Sequence, residues 1–337
     1  MPDNLGMLDA PLVLSASRKR TWQARRARSS VALLRATAAV LRRLPERPLH
    51  VLAHRAALLL YAAQPRRRAL VRSNLQRVCT YLAANDLGGP SVAASARDRR
   101  ALERLVRASF GHYVRGYLEG AILPAYATPT RLARVRPDDP RALARAFGTT
   151  GAHDRHGPLI IVGMHFGALE IPALWATQKL GRPITAPMET VTDPELQAYF
   201  EQTRRQTGLN VVPMERAAVA LRASLARGEA VALVADRAIG GTGARVELFG
   251  SVARLPLGPA ALALESGAEA WLVATRRIGS GEYRAYVERI EMPAEGSRRE
   301  RLSAFLTAEA RAFERAVADA PEQWWTMFFP IWDDIPA

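Results

Sequence analysis

Residues 159–170 read Leu-Ile-Ile-Val-Gly-Met-His-Phe-Gly-Ala-Leu-Glu, and residues 228–237 read Gly-Glu-Ala-Val-Ala-Leu-Val-Ala-Asp-Arg. Each is a short, continuous apolar run that ends in a titratable side chain. Such a run, bounded by glycine, predicts a strand buried on both faces. Helical stretches surround these runs at 168–180, at 194–208 with Asp193 as N-cap, and at 217–227, stopped by Gly228. Residues 184–188, 211–212, 245–249 and 283–290 supply further strands, and 258–267 and 298–320 further helices. Strand and helix alternating at this spacing predict an α/β fold with a mixed, largely parallel sheet flanked by helices.

Upstream the pattern changes. Residues 1–30 cluster Arg18, Lys19, Arg20, Arg25, Arg26 and Arg28 and read as a poorly ordered basic start. Residues 31–125 read as helices, with Val31, Leu34, Ala38 and Leu41 at helical spacing and a break at Pro45 and Pro48. The apolar stretch 49–63 then runs into Arg66, Arg67 and Arg68. That order suits a membrane-associating helix, its apolar face in the acyl boundary and its cations on lipid phosphates. It suits equally a core helix whose basic end complements the helix dipole. Residues 84–98, rich in Gly, Pro, Ser and Asp, read as a loop before a helix over 99–123. A short helix is expected near 140–147. The division expected is therefore a basic start over 1–30, a helical region over 31–125 and an α/β core over 126–337.

Composition narrows the function classes. The 337 residues are 49% hydrophobic, enough for a sizeable core. The net charge is +15, and of the 47 basic residues only Lys19 and Lys179 are lysines. Arginine grips phosphate and carboxylate bidentately, so the chain calls for an anionic partner. The basic residues are spread over helices without interleaved aromatics, which argues against specific nucleic-acid binding. Cys79 is the single cysteine, which excludes an intramolecular disulfide and a cysteine-based zinc site. His153 and His156 lack an evident third ligand and read as loop residues, so no metal is expected. No signal peptide or spanning segment is evident, so a membrane would be met from its surface.

In open α/β sheets reactive groups gather just past the carboxyl ends of strands. His165 and Asp236-Arg237 occupy two such positions. An imidazole in a strand-to-helix turn accepts a hydroxyl proton when its other nitrogen is held by a carboxylate or carbonyl. Glu170 and Asp236 are the two carboxylates available. Five residues on a straight helix leave side chains about 140° apart. Glu170 therefore meets His165 only if His165 precedes the helix and Glu170 opens it. Asp236 is the partner offered by the neighbouring strand end.

His165 to Glu170 forms an H-x4-E arrangement that resembles the H-x4-D/E motif of the glycerolipid and lysophospholipid acyltransferase superfamily. Further segments resemble that superfamily in the same order. They are Arg204-x3-Gly208 to Pro213, Gly228-Glu229 to Asp236-Arg237, Leu248-Phe249-Gly250 followed by Pro256-x-Gly258, and Pro321-Glu322-Gln323-Trp324. The resemblance covers roughly residues 50–334. It lies in the branch of the lipid A late acyltransferases, and Ala235-Asp236-Arg237 is most similar to the phosphatidylinositol mannoside acyltransferases. Glu170 stands where aspartate is common.

The resemblance implies transfer of a fatty acyl group from a thioester to a hydroxyl of a lipid acceptor, at the cytoplasmic face of the cell membrane. The donor would be acyl-CoA or acyl carrier protein, with no cofactor, and His165 would be the base. No G-x-S-x-G elbow calls for an acyl-enzyme. The tetrahedral oxyanion needs donors, for which the backbone near Gly167 and the Arg204 guanidinium are candidates. Arg204, Arg237 and Arg254 are candidates for substrate phosphates. Trp324, Trp325, Phe328, Phe329 and Trp332 suit a membrane interface or, more plainly, packing beneath the core. A thioester or lipid hydrolase using the same dyad, and a non-enzymatic basic binding protein, are the alternatives.

Overall fold

A computed structural model describes residues 46–335 apart from 124–127, 148–156, 182, 192 and 239–242, together with 32, 34–41 and 43. The basic start over 1–30 and the pair His153 and His156 lie outside the described residues. Residues 34–41 are helical. Four helices follow: α1 (Glu46–Ala63), α2 (Pro65–Ala84), α3 (Pro90–Arg97) and α4 (Arg99–Ala121). Asp98 caps α4 by accepting the N–H groups of Arg100 and Ala101, a contact worth about 1 kcal/mol.

The α/β part begins with β1 (Val135–Pro137) and α5 (Pro140–Phe147), then runs β2 (Leu159–Gly163), α6 (Glu170–Leu180), β3 (Ile184–Met188), α7 (Pro194–Arg205), β4 (Leu209–Pro213), α8 (Ala217–Ala226) and β5 (Ala230–Val234). A hairpin of β6 (Ala244–Leu248) and β7 (Ser251–Leu255) follows. The chain closes with α9 (Gly258–Ser266), β8 (Glu269–Gly279), β9 (Glu282–Ile290), α10 (Arg298–Ala318) and two 3-10 turns, Pro321–Gln323 and Trp325–Phe328. The main sheet has the order β1-β9-β8-β2-β5-β3-β4. All its pairings are parallel except β8 with β9. The expected α/β class with a largely parallel sheet is observed.

Burial on both faces explains why β2 reads as an unbroken apolar run. Ile160 and Val162 enter one cluster with Leu75 of α2, Phe110 of α4 and Phe313 of α10. Leu159 and Ile161, pointing the other way, join Phe147 of α5, Trp175 of α6 and Trp271 of β8. The helices before the sheet thus complete one of its layers. Asn74, buried in α2, ties that layer to the end of the chain by donating to the carbonyls of Met327 and Phe329. Trp324, Trp325, Phe328 and Trp332 are buried there, so their packing role is the observed one.

Two sequence readings are corrected. Residues 84–98 hold the helix α3, because Pro90 opens it at the first position, where a missing N–H costs nothing. The strands β1, β7 and β8 were not expected. In β8, Arg277 sits buried where a core residue should be apolar. Its guanidinium pairs with Glu119 of α4, a carboxylate far away in sequence.

Another buried charge site has no such partner. Glu309 of α10 is fully buried, and among the described residues neither carboxyl oxygen has a hydrogen-bond partner. Burial, with the Asp236 charge adding to it, pushes its pKa well above the carboxylate range. The folded chain therefore holds this proton, whereas the unfolded chain releases it above about pH 4.3. Stability contributed by that proton is full below the unfolded value and is lost as pH rises above it. Glu309→Met, similar in size and free of polar atoms, is expected to raise Tm at about pH 7.5. Most of that gain should vanish near about pH 4, where the unfolded Glu309 is protonated as well. Thermal melts at the two pH values check this, and equal gains at both would contradict it.

Candidate active site

Strands β2 and β5 lie side by side and parallel, with Gly163 opposite Val234. The second residue beyond each is His165 and Asp236, so the two side chains emerge next to each other. The His165 Nδ1 lies 2.7 Å from Asp236 Oδ1. Asp236 Oδ2 accepts three more hydrogen bonds: from the His165 backbone N–H at 3.0 Å, the Trp324 indole N–H at 2.7 Å and the Thr326 hydroxyl at 2.7 Å. Burial presses the Asp236 pKa upward. The His165 charge and the hydrogen bonds from His165, Thr326 and Trp324 outweigh it, and the carboxyl stays below its ordinary value. An ionised carboxylate only accepts hydrogen bonds, so Nδ1 carries a proton, and in a neutral imidazole Nε2 is the nitrogen left to accept one.

The turn that carries His165 is clamped to the end of the chain. Trp325 donates its N–H to the His165 carbonyl at 2.7 Å, and Gly167 donates to the Gln323 carbonyl at 2.9 Å. The Gln323 side chain pairs with both backbone groups of Arg277 on β8. Gly167 has φ +52°, and a Cβ there would lie 2.0 Å from the Thr275 carbonyl oxygen. Only glycine fits this approach.

That geometry bears on two pairs of alternatives left open by the sequence. The Gly167 N–H is committed to Gln323, and its neighbours at Phe166 and Ala168 donate to Met164 and Thr275. The backbone of this turn is therefore not a set of free oxyanion donors. Glu170 opens α6 but pairs with Arg204, whose other nitrogen contacts the Met188 sulfur at 3.4 Å. Asp236, not Glu170, is the carboxylate on His165.

The His165 side chain is 26% exposed and borders a cavity of about 390 Å3, within the usual range for small-ligand sites. The cavity floor is one face of the sheet, made by Ile161, Ala186, Val211, Ala232 and Val273. Its rim is polar: Glu170 with Arg204, and Glu189 with Arg237 at 2.9 Å. The Arg237 guanidinium also lies 4.2 Å from the centre of the Phe329 ring. The N-terminal turn of α6, which no side chain caps, borders the same space. Arg204 and Arg237 are thus at the site. Arg254 is not: it borders a second cavity of about 460 Å3 that Asp236 and Arg237 also line.

Thr326 and Glu189 are not among the residues that the sequence singles out, and Trp324 stands out there as an aromatic and as part of the Pro321-to-Trp324 segment. The Pro321-to-Trp324 segment is visible as a motif, but nothing local says that it reaches the end of β5. Among the described residues no cluster of His, Cys, Asp and Glu is arranged to hold a metal.

Residues 102–333 match the family described as bacterial lipid A biosynthesis acyltransferase. The chain belongs to that family. It is therefore an acyltransferase of lipid biosynthesis, and the matched region contains both sheet ends that carry the dyad. A relative from Mycolicibacterium smegmatis, named phosphatidylinositol mannoside acyltransferase, is 28% identical over 233 residues, which cover 68% of this chain and 72% of the relative. A protein of the same name from Mycobacterium tuberculosis is 33% identical over 108 residues, 31% of this chain and 34% of that protein. The family match begins inside α4, so α1 to α3 lie outside it.

Proposed function

We propose that the enzyme transfers a fatty acyl group from a thioester, acyl-CoA or acyl carrier protein, to a hydroxyl of a glycolipid or phospholipid. The observation that carries the reading is the imidazole whose Nδ1 is held by a buried carboxylate at the rim of an apolar cavity. The name of the two mycobacterial relatives favours a mannosylated phosphatidylinositol as acceptor.

In this reading the acyl chain lies along the sheet floor and its thioester carbonyl stands near His165. The acceptor hydroxyl attacks that carbonyl while Nε2 takes its proton. Asp236 fixes the tautomer and stabilises the imidazolium that forms. The oxyanion is met by the Arg204 or Arg237 guanidinium. Collapse of the intermediate breaks the C–S bond, and the thiolate takes up the proton from His165. Among the described residues that line the cavity there is no serine or cysteine, and direct attack needs no such nucleophile.

The acceptor's place in a bilayer gives α1 a role. Val51, Leu52, Leu58 and Leu59 are exposed on that helix beside Arg55, and Arg66 and Arg67 follow at the start of α2. Among the described residues no helix is long and apolar enough to cross a membrane. This face would rest on an anionic lipid surface, with the leucines in the acyl boundary and the arginines on phosphates. Leu52→Glu with Leu59→Glu is expected to abolish most co-sedimentation with phosphatidylglycerol vesicles while leaving Tm within a few degrees. Unchanged sedimentation would contradict the assignment of this face.

The chemical test follows thiol release from palmitoyl-CoA, with a panel of glycolipid and lysophospholipid acceptors and lipid products read by mass spectrometry. Wild type is expected to form an acylated lipid, and His165→Ala to lose about 10²–10⁴-fold in rate with its fold intact. Free fatty acid with no acylated lipid from any acceptor would point to hydrolysis. Equal rates for the two proteins would make His165 structural.

A further inference from the structure

The helix α4 presents Tyr113, Gly116, Tyr117 and Gly120 to the cavity, spaced i, i+3, i+4 and i+7 along one face. The two glycines have different causes. At Gly116 a Cβ would fall 1.8 Å from a ring atom of Trp325, so the packing of that indole excludes any side chain. At Gly120 the nearest atom of the described residues to a Cβ is Glu170 Oε1, at 4.0 Å. Glycine inside a helix is less stable than alanine, and among the described residues no neighbouring atom demands it here. The position faces open cavity beside the Glu170–Arg204 pair.

The surroundings say what that space suits. One side carries a carboxylate and a guanidinium. The other carries Tyr117, 58% exposed, with its ring nearly parallel to Trp325 and its hydroxyl 3.2 Å from that of Tyr113. A hydrocarbon chain laid against the ion pair would desolvate it without returning a hydrogen bond. A hydroxyl-rich ring does return them: its hydroxyls donate to the carboxylate, its oxygens accept from the guanidinium, and its C–H face packs on the tyrosine.

We infer that Gly120 is a specificity-determining position whose missing side chain opens a niche, walled by Tyr117, Glu170 and Arg204, for a sugar ring of the acceptor. The inference rests on the glycolipid reading of the acceptor proposed above. It assigns the two ends of the cavity to different substrates, acyl chain on the sheet floor and sugar at the rim beside α4.

The test needs no turnover, so its outcome is separate from that of the acyl-transfer assay. Calorimetry measures binding of deacylated, mannosylated glycerophosphoinositol and of a non-hydrolysable palmitoyl-CoA thioether to wild type, Gly120→Ala and Gly120→Leu. The headgroup is expected to bind wild type and to lose about tenfold or more in affinity with Gly120→Leu, while thioether affinity changes by less than about twofold. Gly120→Ala is expected to raise Tm, which shows that the helix itself accepts a side chain there. The inference is overturned if the headgroup binds all three proteins alike, if it binds none of them, or if Gly120→Leu weakens the thioether as much as the headgroup.

Discussion

A fully buried carboxylate that is kept ionised organises the molecule. Asp236 has no access to solvent, and an ionised carboxylate in that position is tolerated only when its lone pairs are filled. Four donors fill them, and they come from the turn after β2 and from the Trp324-to-Thr326 segment near the end of the chain. Each donor is held by its own backbone contacts. The fold therefore brings three distant stretches of sequence to one point, and the imidazole is oriented as part of the same arrangement.

The clamp explains features that look unrelated in sequence. Gly167 is required because the turn passes against the Thr275 carbonyl. Gln323 is required because its side chain pairs with the backbone of β8 while its own carbonyl takes the Gly167 N–H. The N-terminal helices join in through Asn74, which holds the carbonyls of Met327 and Phe329. Rigidity at His165 thus comes from hydrogen bonds made on all sides of the turn. The cavity in front of it is lined by apolar groups along the sheet and charged groups at the rim.

Much of this was legible in the sequence where a signal is local. The apolar run at 159–163 and the N-cap at Asp193 specify their own elements. His165 and Asp236 each stood out as a titratable group at a strand end. Their pairing was legible only as one of two alternatives, because the choice of Asp236 over Glu170 depends on β2 lying next to β5, and strand order is written nowhere in a local pattern. Glu170 looked like the nearer partner because sequence distance stood in for spatial distance. The same limit hid β8, whose Arg277 reads as a surface residue until Glu119 of α4 is placed against it. It also hid α3, whose Gly-Pro start has the composition of a loop.

In the proposed mechanism His165 and Asp236 act as one unit. A double-mutant cycle on the rate of acyl transfer tests it most directly, using His165→Ala, Asp236→Asn and the two together. If Asp236 works through the imidazole, it has nothing to orient once the imidazole is gone. The double variant should then be no slower than His165→Ala alone. If the two losses multiply, Asp236 acts independently of His165 and the dyad is not the catalytic unit.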